Sequence, residues 1–265
     1  MKIYEIYDEE SDMSLGILMY YEKSKGYVIE LQSYLDEWSA PLLFSKYVKE
    51  NIYTIPSDVS FLWVKERVIP SGRQNINDIL KWHNLKEYDE MKFLEIAEGR
   101  CSQDSICIKK LERLPNYVEQ RMEKNIVECV VTDDKKLLCI FADDKIKRVD
   151  VSKLTYVDDV DKILKNTKVF ESAKIGLGGF SVVFNDTIEI SARLLYKEGN
   201  TIPFSMKDIR NFVEKNICDT SECCELLGCT RQNISYMVNE KQITPIKENV
   251  KGNLYMKGDV IKNTW

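Results

Sequence analysis

A glycine and a threonine set two residues apart, Gly228 and Thr230, constrain this chain more than any other feature. The run before them, "TSECCELL" (220–227), has a capping-box-like start in which Thr220 or Ser221 can accept N–H bonds from a first helical turn. Gly228 has no Cβ, so it can take the left-handed conformation that ends a helix. Thr230 can then cap a second helix, in which Ile234, Met237 and Val238 fall at i, i+3 and i+4 and so share one face. With so little chain between stop and start, the two helices must fold back sharply on each other, the helix-turn-helix arrangement. Leu226 and Leu227 are expected to give the first helix its apolar face, with Cys224 as the small residue where the helices pass closest. Beyond them "ITPIKENVKGNLYMKGDV" suggests a strand, a turn at "NVKGN" and a second strand, the outline of a wing.

The face of the second helix left outside carries Arg231, Gln232, Asn233, Ser235 and Tyr236. Arginine can bridge two acceptors of a guanine and glutamine or asparagine can pair with adenine, while serine and tyrosine reach phosphate oxygens. The helix start at Thr230 adds unpaired N–H groups suited to phosphate, and Lys247, Lys251 and Asn253 lie where the wing would touch a backbone. Charge agrees locally. From Cys229 onward six basic residues meet three acidic ones, a net of +3, whereas the other 228 residues hold 32 basic and 40 acidic, a net of −8. The overall charge of −5 excludes a uniformly basic nucleic-acid coat, yet it conceals a positive end. The bland alternative is a helical pair used for protein contact.

Thr220, Cys224, Leu227, Gly228, Thr230 and Ile234, followed by "GNLYMKGDV", resemble the winged helix-turn-helix of the excisionase and MerR-type families, in which "T-x-x-x-A-x-x-L-G-x-S/T-x-x-x-I" precedes a wing. Cysteine stands at 224 where that pattern has alanine, a change compatible in size. The resemblance implies binding to double-stranded DNA, commonly as a homodimer on paired half-sites.

The rest of the chain divides into two segments. Residues 1–122 open with "KIYEIY", "GILMYY" and "GYVIEL", rich in β-branched and aromatic residues, which predicts strands and a hairpin in a mixed α/β domain. "SYLDEWSAPLLFSKYVKE" predicts helix interrupted at Pro41, and Ile76, Ile79, Leu80 and Leu85 approach helical spacing. "IPSGRQN" places Arg73 just before a helix start, where backbone N–H groups could help hold an anion, the plainer reading being an exposed turn with Asn75 as its cap; its "RQNI" duplicates residues 231–234, but no preceding helix and glycine frame it, so the repeat is chance.

Residues 123–200 alternate apolar runs with the breaks "TDDKK" and "ADDK", an antiparallel-sheet pattern with a charged helical piece, and Gly176, Gly178 and Gly179 permit a sharp bend. "LLCIFADDKIKRVDV", "VFESAKIG", "FSVVFNDTIEIS" and a closing "LLY" resemble the bacterial domain-of-unknown-function family 2442, although Asp144 stands at the turn position usually held by glycine. That resemblance implies a small α+β fold, found alone, near toxin–antitoxin-like genes or fused to DNA-binding modules, and implies no catalytic residues.

The expected architecture is therefore multidomain α+β, with the helix-turn-helix and wing in residues 201–265. Eight cysteines without regular spacing fit a reducing cytoplasm and small apolar positions better than a disulfide framework. The group Cys218, Cys223, Cys224 and Cys229 lacks a CxxC pair or a nearby histidine, so no metal or other cofactor is expected, and Asp143, Asp144, Asp158, Asp159 and Asp161 read as solvated turn carboxylates. His83 is the only histidine, which excludes most triad chemistry, and beside Trp82 it is expected to be structural. No run of eighteen apolar residues exists and the first residues turn acidic, so neither a membrane span nor a signal peptide is expected. The functional expectation is a sequence-specific DNA-binding regulator of bacterial or phage type without catalytic residues. The runner-up is an antitoxin-like module that neutralises a protein partner through its middle segment. An enzyme using Arg67, Arg73 and His83 comes third.

Overall fold

The computed structural model describes residues 1–132, 135–217, 219–247 and 250 of the chain. It is a mixed α+β structure with antiparallel sheets, and it falls into two compact units. One comprises Met1–Glu123 with Gly176–Phe180; the other comprises Lys124–Ile175 and the described chain from Ser181 on. The segment from residue 201, set apart in the sequence, lies within the second unit.

The first unit is built on β1 (Lys2–Asp8), β2 (Met13–Tyr21) and β3 (Gly26–Leu31), the three strands expected from their composition. After them come α1 (Ser45–Lys49), β4 (Thr54–Ile55), α2 (Ser57–Arg67), α3 (Ile76–Trp82), α4 (Glu90–Ile96), β5 (Ile106–Leu111) and α5 (Asn116–Met122). The sheet order is β4-β3-β2-β1-β5, antiparallel throughout. Strand β2 is central and buried on both sides. Leu18 and Tyr20 join Phe44, Trp63, Val64 and Leu94 on one face, while Ile17 and Met19 join Val118 and Phe180 on the other. Gly16 sets how closely β2 and β3 approach, because a Cβ there would sit 2.5 Å from the Glu30 carbonyl oxygen and 2.9 Å from Leu31 Cα.

Two charged pairs lie inside this unit. Glu30 is fully buried, with its carboxylate accepting from Arg121 at 2.9 Å and from the Thr54 hydroxyl at 2.7 Å. The Arg67 guanidinium lies over the Trp63 ring and donates to Asp104 at 3.0 Å and to the Gly99 carbonyl at 3.1 Å. Buried charges survive only when paired in this way.

Several expectations need correcting here. Residues 33–41 form no helix: regular helix begins after Pro41, with one 3₁₀ turn at Leu42–Phe44 and then α1, because proline fixes φ and disfavours helix in the residue before it. Helix α2 was not anticipated. Its apolar residues Val59, Phe61, Leu62, Trp63 and Val64 surround the axis instead of forming a stripe, so the sequence has no helical period there. Asn75 sits at the cap position of α3, but its side chain makes no capping hydrogen bond.

The second unit begins with β6 (Ile126–Val131), β7 (Lys136–Phe141) and β8 (Ile146–Asp150), followed by α6 (Val160–Lys165), α7 (Thr167–Glu171), β9 (Lys174–Ile175), β10 (Ser181–Phe184), β11 (Ile188–Ser191), α8 (Ala192–Glu198) and β12 (Asn200–Ile202). These strands make two antiparallel sheets, β12-β8-β7-β6 and β11-β10-β9. Leu137, Phe141, Val149, Ile163, Phe170, Phe184 and Leu195 form their shared core. Asp144 adopts the left-handed conformation, φ 65°, at the position where glycine was expected, and its carboxylate accepts the Met206 N–H at 3.0 Å. Aspartate tolerates that conformation better than most residues, because its short side chain can bond locally. The closing "ARLLYKE" is helix: the Ser191 hydroxyl caps it and Leu195 is buried on its inner face.

Three helices end the described chain: α9 (Met206–Asn216), α10 (Thr220–Leu227) and α11 (Arg231–Asn239). Among the described residues no helix is long and apolar enough to cross a membrane.

Candidate nucleic-acid interface

Helices α10 and α11 are joined as the punctuation of the sequence requires. Gly228 is left-handed, φ 61°, and the Cys229 N–H closes on the Cys224 carbonyl at 3.0 Å and the Gly228 N–H on the Glu225 carbonyl at 3.3 Å, so two carbonyls at the end of α10 are satisfied while the chain reverses. Thr230 caps α11, its hydroxyl accepting the Asn233 N–H at 3.4 Å. At the far end Gln242 N–H bonds Met237 C=O at 2.8 Å and Lys241 N–H bonds Val238 C=O at 3.0 Å, with Lys241 itself at φ 59°. That is a Schellman ending with lysine at the position glycine usually takes.

The cap of α10 differs from the expectation. Asp219, not Thr220 or Ser221, occupies the position: its carboxylate accepts from Ser221 and Glu222 N–H groups, and Glu222 reaches back to the Asp219 N–H at 2.8 Å. A carboxylate in the first turn also complements the helix dipole. Leu227 is not on a buried face, being 54% exposed, and the side chain of Leu226 lies outside what the structure describes. Ile234 is the one buried side chain of α11, with Met237 and Val238 half-buried beside it, so the inward face is the predicted one.

The opposite face presents Arg231, Gln232, Asn233, Ser235 and Tyr236, all exposed. They are not equally available. Arg231 donates to the Ser221 hydroxyl at 2.9 Å, tying the start of α11 to the start of α10. Ser235 donates to the Arg231 carbonyl at 3.1 Å, the back-bond that serine often makes inside a helix. Tyr236 projects into solvent, 59% exposed. Lys247 is exposed after α11, whereas Lys251 and Asn253 lie outside the described residues, as does the expected turn of the wing from residue 251 on. Among the described residues the first expected wing strand, "ITPIK", forms no strand, and Pro245 in its middle removes an N–H that a ladder would need.

The sequence reading missed α9. Its start carries a full capping box between Ser205 and Asp208, with Met206 buried and Ile209 half-buried against Ile140 and Ile146. The Ser-x-x-Asp spacing at 205–208, followed by Ile209 and Val213 at i and i+4, was a usable signal.

Other candidate chemistry is dispersed. Arg67 is committed to Asp104, Arg73 lies exposed in the turn before α3, and His83 ends α3 edge-on to the Phe93 ring while Trp82 stands 83% exposed. A cavity of about 490 Å³ on the first unit is lined by Tyr4, Glu9, Glu95, Arg100 and Lys109 among others; of its charges, Arg100 pairs with Glu9, and Glu95 pairs with Lys2 beside it. Among the described residues no three of His, Cys, Asp and Glu gather as a metal site would require. In comparisons with family models, with curated proteins and with solved structures, nothing matched this chain. Both resemblances drawn above rest on their quoted residues alone.

Proposed function

We propose that the chain is a sequence-specific DNA-binding protein, a transcriptional regulator of bacterial or phage type, in which α11 enters the major groove of a duplex. One observation carries this reading. A Thr-capped helix, set off from its neighbour by a left-handed glycine, keeps only Ile234 buried and turns five polar or aromatic side chains of one helix outward. Gln232 and Asn233, in the first turn, supply amides for adenine edges, and Tyr236 supplies a hydroxyl for phosphate. Arg231 exchanges its Ser221 partner for guanine or phosphate on docking, and Ser235 stays bonded to its own helix unless a phosphate draws it away. Lys247, and with it Lys251 and Asn253, contribute positive charge and polarity beyond the helix. Binding as a homodimer places two copies of α11 on half-sites one helical turn apart, roughly 34 Å.

The test is a gel shift on fragments selected from a random duplex pool. The double variant Arg231→Ala/Gln232→Ala should lose binding while keeping its helical circular dichroism; undiminished binding rejects the assignment of α11. Wild-type affinity should fall steeply with salt, because each phosphate contact releases condensed counterions.

A further inference from the structure

Cys129 on β6 and Cys139 on β7 are directly opposite each other in the hairpin register. The Thr132 N–H donates to the Lys136 carbonyl at 2.9 Å, which makes 132 and 136 a hydrogen-bonded pair. Along an antiparallel ladder bonded and non-bonded pairs alternate, so 130/138 is bonded while 131/137 and 129/139 are not; the bulge of β6 lies beyond, between Ile126 and Glu128. Non-bonded pairs bring their Cα atoms to about 4.5 Å, the closest cross-strand approach, and within the roughly 4.4–6.8 Å that a disulfide spans. Both side chains lie on the face that packs with Leu137 and Val131. A hydrogen bond with Cys129 and then burial push the Cys139 thiol well above its ordinary ionisation range. Both cysteines are thiols, Cys139 buried and Cys129 partly exposed.

We infer that Cys129 and Cys139 form a dithiol site that closes reversibly to a disulfide by exchange with a small-molecule disulfide of the glutathione type, stapling β6 to β7. The asymmetry of exposure sets the order. Cys129 loses its proton to solvent and attacks one sulfur of oxidised glutathione; the S–S bond breaks and one glutathione thiolate leaves. The Cys139 thiol then loses its proton and attacks the Cys129 sulfur of the mixed disulfide, and a second glutathione thiolate leaves. Two protein thiols and one glutathione disulfide become one protein disulfide and two glutathiones, the electrons passing to glutathione. The staple fixes the register of β6, the edge strand of its sheet. The other face of that sheet carries Leu138 and Ile140 against Met206 and Ile209 of α9.

The site is tested on the full chain. Reduced protein is incubated with oxidised glutathione, alkylated with iodoacetamide under denaturing conditions and digested with trypsin, whose cleavage after Lys124, Lys135, Lys136 and Lys145 puts Cys129 in residues 125–135 and Cys139 in 137–145. The expected product is these two peptides joined, separable by dithiothreitol, and lighter by two hydrogens than the sum of the free thiols. Recovery of both unlinked, each alkylated or carrying glutathione, overturns the proposal. In Cys139→Val, folded by circular dichroism, glutathione should accumulate on Cys129 severalfold above wild type, because the resolving thiol is gone. Equal accumulation in the two proteins would likewise count against it.

Discussion

The five-stranded unit and the α10–α11 pair hold their shapes by different means. In the first, β2 is covered on both faces, aromatic side chains such as Phe44 and Trp63 are fully enclosed, and two carboxylate–guanidinium pairs are drawn into the interior. In the second, Ile234 is the only side chain of α11 that is fully enclosed, and the geometry rests on caps: Asp219, Gly228, Thr230 and the Lys241 ending. A thick core tolerates little change at any point but fixes its backbone without special residues at every turn. A thin one leaves its surface free for another molecule and depends on a few hydrogen bonds at helix ends, each worth about 1 kcal/mol.

That contrast can be broken most forcefully at Trp63. Truncation to alanine removes an enclosed ring that also carries the Arg67 guanidinium, so Trp63→Ala should cost about 3–5 kcal/mol, read as a shift of the denaturant midpoint. A loss below about 1 kcal/mol would mean the core is not close-packed there. Gly16→Ala should cost about 1–3 kcal/mol, because the new methyl meets backbone of β3 that cannot move without parting the sheet. Gly228→Ala sharpens the comparison: nothing lies within 4 Å of the added Cβ, so only the left-handed strain of about 1–2 kcal/mol is expected. If Gly228→Ala proved as costly as Trp63→Ala, the helical pair would have to be packed far more tightly than its exposure indicates.

The smallest effect is one of pH. Burial pulls the Asp104 carboxyl upward, but the Arg67 hydrogen bond, the Ile106 N–H and the arginine's charge outweigh it and hold the group below the usual carboxylate range. Its folded value is depressed, so its contribution to stability is complete above the unfolded value of about 3.9 and is lost as pH falls through the lower folded value. Denaturant midpoints of wild type should therefore decline on acidification below about pH 4, and Asp104→Asn should flatten part of that decline. Because Asp104 is one-third exposed, solvent screens the pair and the change is modest. An unaltered acid profile in the variant would remove the pair from the account.

The parts legible in the sequence are those where single residues dictate local geometry. Gly228 and Thr230 punctuate the chain because glycine takes positive φ at no steric cost and threonine supplies a capping hydroxyl, and β1 to β3 follow from their β-branched and aromatic content. The cap of α10 starts one residue before Thr220 because "DTSE" places Glu222 at the reciprocal position of the box, where "TSEC" has cysteine, and aspartate adds a charge that suits the helix dipole. Helix α2 was hidden by apolar residues on all its sides, a pattern that belongs equally to a buried strand. The pairing of Cys129 with Cys139 depends on the register of β6 against β7, which no local spacing announces. Of the candidate interface, the outward face of α11 could be foreseen, but the engagement of Arg231 by Ser221 could not, since it depends on how α10 and α11 cross.

Recognition of duplex DNA by α11, as proposed, is open to direct experiment. Its most direct measurement is the selection of bound fragments from a random duplex pool by wild type beside Arg231→Ala/Gln232→Ala, with folding stability measured on both. A recovered motif with two-fold symmetry is expected for wild type, no enrichment for the variant, and stabilities within about 1 kcal/mol of each other, as befits exposed positions away from the core. Enrichment of the same motif by both proteins, or of none by either, would contradict it.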